Sequence, residues 1–314
     1  MGGAERREVV RMAKISIPVE EYLLSGHVAC HGGGATMAMR YVLKALGKKT
    51  IVTIPACCWA VIPGIYPYRC LDVPLLYTPF ETTGASVSGV RAALEALGKE
   101  DITVVGFAGD GGTADIGIQA LSGMVERGTD AIYIMYDNEA YMNTGIQRSS
   151  STPYGAWTTT TPVGKKKEWK KEEKKNMVEI MVAHKIPYTA TACIAYPEDL
   201  IRKIRTAKEI KGPKFIHILA TCPTGWRVPP EKSVEVARLA VQSNAFPLYE
   251  VKYGVYKVNI KPKNPVPVRD YLKMQGRFRH LSEEEIEKIQ KDVDRNWQIL
   301  LAKEKFTQEI GGWI

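Results

Sequence analysis

No stretch of this chain holds the roughly 18 consecutive apolar residues that a membrane-spanning helix needs. Its first residues, MGGAERREVVRMAK, lack the apolar centre of a secretory signal, and the expectation is a soluble cytoplasmic protein with no membrane partner. There is no internal repeat, no compact basic domain and no nucleic-acid recognition motif, so the net charge of +9 does not by itself point to nucleic acid. Part of that charge gathers in 165-KKKEWKKEEKK-175, which reads as a solvated surface insertion or as basic surface that steers an acidic protein partner. Cysteine is scarce, six in 314 residues, and a cytosolic chain of this length needs no disulfides. What the chain does have is 45% hydrophobic residues, enough for a sizeable core.

Those hydrophobic residues alternate between two periodicities. Residues 34–46, 84–97, 113–128, 176–184 and 197–210 carry apolar positions at helical spacing, while 50–56, 102–109, 131–138, 188–194 and 214–220 are short β-branched runs. Strands alternating with helices predict an α/β doubly wound parallel sheet over residues 20–226. Residues 1–20 read as an N-terminal arm. Residues 227–314 read as a C-terminal extension with a helix at 233–243, a hairpin around Gly254 and a charged amphipathic helix over 282–305.

The chemistry concentrates in 109-GDGGTADIG-117, which holds four glycines and two aspartates directly after a strand. In open parallel sheets ligands bind beyond the carboxyl ends of the strands. Two such ends offer Asp110 and Asn138, oxygen donors of the kind Mg²⁺ takes beside substrate phosphates. The glycines and the following helix would present bare N–H groups and a positive dipole end. A glycine-rich turn with a capping aspartate is the plainer alternative. Among the cysteines, Cys70 and Cys193 read as small buried hydrophobes. Cys30, Cys57, Cys58 and Cys222 lie in Gly/Pro-rich turns, where bare backbone can wrap an inorganic cluster.

Gly109-Asp110-Gly111 followed by an asparagine 28 positions after the aspartate resembles the thiamine-diphosphate motif. Residues 109–165, with 26-GHVAC-30, 222-CPTGW-226 and 270-DYLKMQGRFRHL-281, resemble the β subunit of the pyruvate:ferredoxin oxidoreductases, over nearly the whole chain. The resemblance implies oxidative decarboxylation of a small 2-oxoacid, with thiamine diphosphate as nucleophile and electron sink. It implies iron–sulfur clusters that pass single electrons to an acidic ferredoxin, and coenzyme A as acyl acceptor. Implied partners are an α subunit completing the thiamine site and a ferredoxin-like cluster subunit. Residue by residue, it makes Asp110 and Asn138 side-chain ligands of Mg²⁺, with the Ala140 carbonyl as a third. It lines the diphosphate with Gly109, Gly111 and Gly112, places Asn143 at the substrate as the catalytic candidate, and sets Thr144 beside it.

The sequence departs from that family in two places. Of four cluster cysteines expected for a [4Fe-4S] site, Cys30, Cys58 and Cys222 match, but the remaining position is Gly33. Three thiolates can hold a cubane, with Cys57 or His31 as a substitute fourth ligand, although adjacent residues of an extended chain point opposite ways. Second, Ala35 and Ala60 stand where glutamates are common. Removing acid there favours a more anionic substrate, as in the oxalate oxidoreductase variant, which leaves pyruvate and oxalate both open. His27 could adjoin the cofactor or serve the fold, and Glu81 could line the pocket or stay on the surface. Two other classes compete: a thiamine-dependent decarboxylase or synthase subunit without iron, and a zinc-holding interaction module built on Cys30, Cys57, Cys58 and Cys222.

Overall fold

In a computed structural model of the chain, residues 16–165 and 169–313 are described. Most of the expected N-terminal arm, and residues 166–168 of the charged run, lie outside them. Eight strands form one sheet: β1 (Thr50–Pro55), β2 (Leu75–Thr78), β3 (Thr103–Gly109), β4 (Ile132–Asp137), β5 (Tyr188–Cys193), β6 (Lys214–Leu219), β7 (Tyr249–Lys252) and β8 (Val255–Val258). Their order is β2-β1-β3-β4-β6-β5-β7-β8. The first six pair in parallel; β7 joins β5 antiparallel, and β8 joins β7 the same way. The helices are α1 (Gly34–Leu46), α2 (Thr83–Ala96), α3 (Ile118–Glu126), α4 (Met177–Ala183), α5 (Pro197–Glu209), α6 (Pro223–Trp226), α7 (Ser233–Gln242), α8 (Val268–Lys273) and α9 (Glu283–Ile310).

Both faces of the sheet are covered, which is why its central strands are apolar throughout rather than alternating. Along β4, Ile132, Ile134 and Tyr136 share one core with Val42 of α1, Leu200 of α5 and Ala240 of α7. Tyr133 and Met135 share the other with Val87 of α2, Leu121 of α3 and Met181 of α4. The expected doubly wound α/β fold is therefore present.

Three local readings change. The helix expected over 113–128 begins earlier and is interrupted: a π-helical turn, Gly112–Ile116, precedes α3, and the Thr113 hydroxyl donates to the Gly109 carbonyl at 2.7 Å. Such turns recur at functional sites because they widen a helix locally. The short edge strand β2, half exposed, carries too weak a pattern to stand out in the sequence. The hairpin turns through Tyr253 and Gly254, both at positive φ, and continues the main sheet rather than standing beside it. α9 closes over it, with Glu304 and Thr307 accepting from the backbone N–H groups of Val258 and Tyr256.

The described part of the charged run is solvated only in part. Trp169 and Lys170 are buried, and the Lys170 ammonium donates to the carbonyls of Thr152 and Glu172, each at 2.8 Å. Lys165 and residues 171–173 are exposed, while Lys174 and Lys175 are half-buried. A charge count along the sequence does not register that a lysine can bury its stem and satisfy its head on backbone carbonyls.

Candidate active site

Four neighbouring parallel strands, β1, β3, β4 and β6, end on the same edge of the sheet. Their tips bring together Cys57 and Cys58, Asp110, Asn138, and Cys222. Asn138 Oδ1 stands 2.9 Å from Asp110 Oδ1 and 3.0 Å from the Ala140 carbonyl oxygen. Without a cation the amide gains by turning over, so that its NH₂ donates to both oxygens. With the oxygen inward, Asn138 sets its Oδ1 against two further oxygens, a crowding that a positive charge beside them would relieve. Asp110 is buried, and the Ser149 hydroxyl donates to its Oδ2, leaving Oδ1 facing Asn138. Burial, reinforced by the nearby charge of Asp137, pushes the Asp110 carboxyl well above the usual carboxylate range. A cation beside these oxygens would reverse the balance.

These oxygens border a cavity of about 220 Å³. Gly109, Gly111, Gly112, Asn143 and Thr144 also line it, so every residue assigned to the diphosphate and substrate side is present. The glycines have a further reason to be there. A β-carbon on Gly111 would lie 2.2 Å from the Tyr141 ring, and one on Gly112 would lie 3.0 Å from Phe80. Tyr141 is in turn anchored by its hydroxyl, which donates to Asp115 at 2.7 Å. The glycine positions thus admit two aromatic rings over the turn as well as exposing its backbone. Gly111→Ala is expected to displace Tyr141 and lower stability by about 1–3 kcal/mol, measured by urea unfolding. Thr144 spends its hydroxyl within its own turn, donating to Gln147 at 2.5 Å, while Asn143 is exposed at the cavity mouth.

A second cavity, about 280 Å³, adjoins the first. Cys30, Cys58 and Cys222 line it together with Gly33 and Ala35, and Cys58, Asn138, Met142 and Asn143 belong to both cavities. Cys57 is not among its lining residues. It is extended at φ −171°, and its thiol hydrogen-bonds with the Tyr136 hydroxyl and with backbone at Gly109. As a fourth cluster ligand Cys57 is therefore corrected: successive residues diverge, and Cys57 lines the first cavity and not the second. His31 is exposed and lines neither cavity. His27 is exposed, with its Nδ1 accepting from the Ala29 N–H at 3.4 Å, and Glu81 lies in the groove between α2 and α3. Burial, then the neighbouring Cys57 and Cys222, pushes the Cys58 thiol up to about 12, and burial likewise raises Cys222. The zinc module is corrected too. Among the described residues no three His, Cys, Asp or Glu side chains come close enough to hold one ion. Cys30, Cys58 and Cys222 instead stand around the rim of the second cavity.

Behind the strand tip of β4 lies a buried ion network that the sequence did not disclose. Residues 138 and 140 turn to the first cavity, whereas 137 and 139 turn away from it. Asp137 accepts from Ser151 at 2.8 Å and pairs with His217 at 2.7 Å and Lys174 at 2.6 Å. Burial works to raise its carboxyl, but Lys174 and His217 outweigh that and hold it below the usual range. Glu139 pairs with Lys174 at 2.6 Å and with Arg277. Trp226 lies across the same place, its indole N–H donating to the Asn138 carbonyl at 2.8 Å and its face under the Arg277 guanidinium at 4.0 Å.

This geometry agrees with what the chain resembles. Residues 62–218 match the model of the thiamine pyrophosphate enzyme C-terminal TPP-binding domain. The chain is 58% identical over 294 residues to the ketoisovalerate oxidoreductase subunit VorB of Pyrococcus furiosus, covering 91% of this chain and 94% of that one. It is 52% identical over 296 residues to the pyruvate synthase subunit PorB of Methanocaldococcus jannaschii, covering 92% and 99%. A solved 2-oxoglutarate:ferredoxin oxidoreductase from Magnetococcus marinus superposes with a TM-score of 0.53 at 23% identity, over 67% of this chain and 76% of that one, a likeness of fold. Among the described residues no helix is long and apolar enough to cross a membrane. With a thiamine-type strand edge and relatives of this identity along almost its whole length, the chain belongs to the β subunits of the thiamine-dependent 2-oxoacid:ferredoxin oxidoreductases.

Proposed function

We propose that this chain holds the metal and diphosphate end of thiamine diphosphate in a complex that oxidatively decarboxylates a short, apolar 2-oxo acid, with coenzyme A as acyl acceptor and ferredoxin as electron acceptor. The carrying observation is the oxygen triangle. Mg²⁺ takes six oxygens at 2.0–2.1 Å, which sets neighbouring oxygens about 3.0 Å apart, and the spacings at Asn138 are 2.9 and 3.0 Å. Asp110 and the Ala140 carbonyl thus each lie at octahedral spacing from the Asn138 oxygen, and the remaining positions would fall to diphosphate and water. When bound, thiamine diphosphate supplies a carbon nucleophile and an electron sink. This chain's part is to neutralise and orient the diphosphate, to exclude water with Tyr141 and Phe80, and to present Asn143 at the mouth. The α subunit covers that mouth and completes the site.

The choice of an apolar monoacid rests on what the two cavities lack. Among the described residues, no lysine, arginine or histidine lines either cavity. A second carboxylate, as in oxalate or 2-oxoglutarate, would find no cation among the described residues. Ala35, at the border of the second cavity, adds room rather than charge. Relatives named for ketoisovalerate and for pyruvate fit the same expectation.

The second cavity supports a finer reading, a [4Fe-4S] cluster on Cys30, Cys58 and Cys222, with the position of Gly33 leaving one iron to a non-cysteine ligand. Sharing a wall with the first cavity, it is placed to take single electrons onward to a ferredoxin-like cluster subunit.

The test is turnover by the purified complex. Ferredoxin reduction is expected with 2-oxoisovalerate or pyruvate, dependent on coenzyme A, Mg²⁺ and thiamine diphosphate, and absent with oxalate. Oxalate turnover without coenzyme A refutes the substrate reading. Iron and acid-labile sulfide in the β chain check the cluster, and an iron-free chain in the active complex removes it in favour of a purely thiamine-binding role.

A further inference from the structure

We propose that Arg277, far from the metal ligands in sequence, is a positioning residue that sets the Mg²⁺ turn by holding Glu139 in a left-handed backbone conformation; this rests on the metal reading above. Glu139 stands between the two residues whose oxygens converge, and its φ is +68°. A residue with a β-carbon is uncommon there, and the surroundings must hold it. If residue 139 relaxed to an extended conformation, the Ala140 carbonyl and the Asn138 side chain could not face the same point.

Four contacts hold it. Its own N–H donates to Asp137 Oδ1 at 2.9 Å, and its carbonyl accepts from Thr152 at 2.7 Å. Its carboxylate takes Lys174 on one oxygen and Arg277 on the other. Lys174 is shared with Asp137, so Arg277 is the cation that Glu139 has to itself. Arg277 is only 2% exposed. Gln275 fixes the guanidinium through two hydrogen bonds, at 2.9 and 2.7 Å, and Trp226 supports it from below. Gly276 allows the approach, since a β-carbon there would lie 2.7 Å from that of Arg227. A rigid planar donor, itself locked in place, thus reaches across from the C-terminal segment to the one residue whose backbone angle decides the turn.

The readout is the Mg²⁺ concentration that half-saturates thiamine diphosphate binding to the chelator-stripped complex, followed by protein fluorescence. Outer groups that orient metal ligands are worth about 10–100-fold in metal affinity, so Arg277→Met is expected to raise the midpoint about tenfold or more. Removing the arginine also strands a buried carboxylate, and two second changes separate that cost from positioning. In the R277M background, Glu139→Gln removes the stranded charge but keeps the β-carbon, whereas Glu139→Gly removes the charge and makes positive φ easy. Both should recover thermal stability, and only the glycine should recover the Mg²⁺ midpoint. If R277M alone does not fold, the single variants E139Q and E139G carry the same comparison, with the midpoint raised in the first and near wild type in the second. An unchanged midpoint in R277M, or equal recovery by glutamine and glycine, overturns the proposal. Failure of the underlying metal reading shows separately, as cofactor binding that ignores Mg²⁺ in the unaltered complex.

Discussion

Asp110→Asn is expected to abolish Mg²⁺-dependent binding of thiamine diphosphate while making the cofactor-free protein more stable. The two effects share one cause. Asp110 is buried beside a second carboxylate, Asp137, and its proton is held more tightly than in the unfolded chain. An acid whose folded pKa lies above its unfolded value weakens the fold wherever the unfolded form is ionised, which includes neutral pH. The neutral amide removes that penalty, and a gain on the order of 1 kcal/mol is expected. The same amide is a poor substitute in the oxygen triangle. It carries no charge to offset the dication, so the metal loses the one ionic partner of the triangle. Wild-type complex at a hundredfold excess of cofactor over its Kd should gain about 2.7 kcal/mol from binding, and the variant should gain nothing. Thermal melts with and without Mg²⁺ and thiamine diphosphate should therefore cross: the variant melts higher when empty, the wild type higher when loaded. A variant that still gains stability from the loaded cofactor contradicts the assignment of Asp110.

The second large effect is expected at Trp226. The residue is fully buried, and its ring packs edge-on to Tyr271 and beneath Arg277 while its N–H secures the Asn138 carbonyl. Trp226→Ala should cost about 3–5 kcal/mol in urea unfolding, from lost burial and the void that remains. Trp226→Phe separates packing from polarity. The phenyl ring keeps most of the stacking, but the Asn138 carbonyl loses its donor in a dry site, at about 1–3 kcal/mol. Because Asn138 is a proposed Mg²⁺ ligand, the phenylalanine variant should also raise the Mg²⁺ midpoint severalfold. A phenylalanine variant with a wild-type midpoint would show that Trp226 serves the core and not the turn.

Much of this site is legible in the sequence because it is local. A β-branched run that stops at Gly109-Asp110-Gly111, and a second that stops at Asp137-Asn138, announce two parallel strand ends, and strand ends are where ligands bind. The six parallel strands follow from the same alternation; the exception, β2, is too short and too exposed to carry a pattern. What escapes is everything joined across distance. Arg277 meets Glu139 across 138 positions, and no periodicity links them. Lys174 looks like one charge among many in a lysine-rich run, and only the fold shows it paired with two buried carboxylates. The serines at 149, 150 and 151 look interchangeable, yet each donates to a different aspartate, Asp110, Asp115 and Asp137. Cys57 and Cys58 are one word in the sequence and two environments in space. Gly111 was legible as a glycine position, but not for the ring of Tyr141, which arrives from 30 positions downstream.

The tip of β4 uses both of its sides, with cavity-lining residues at 138 and 140 and cation-paired carboxylates at 137 and 139. That leaves the strand no freedom of frame. One inserted or deleted residue between Ile132 and Asp137 would exchange the two sets, driving Glu139 or Asp137 toward the coenzyme and the amide into the lysine and arginine. Length changes should therefore be tolerated in the outer hairpin and rejected here, even where every individual side chain is kept.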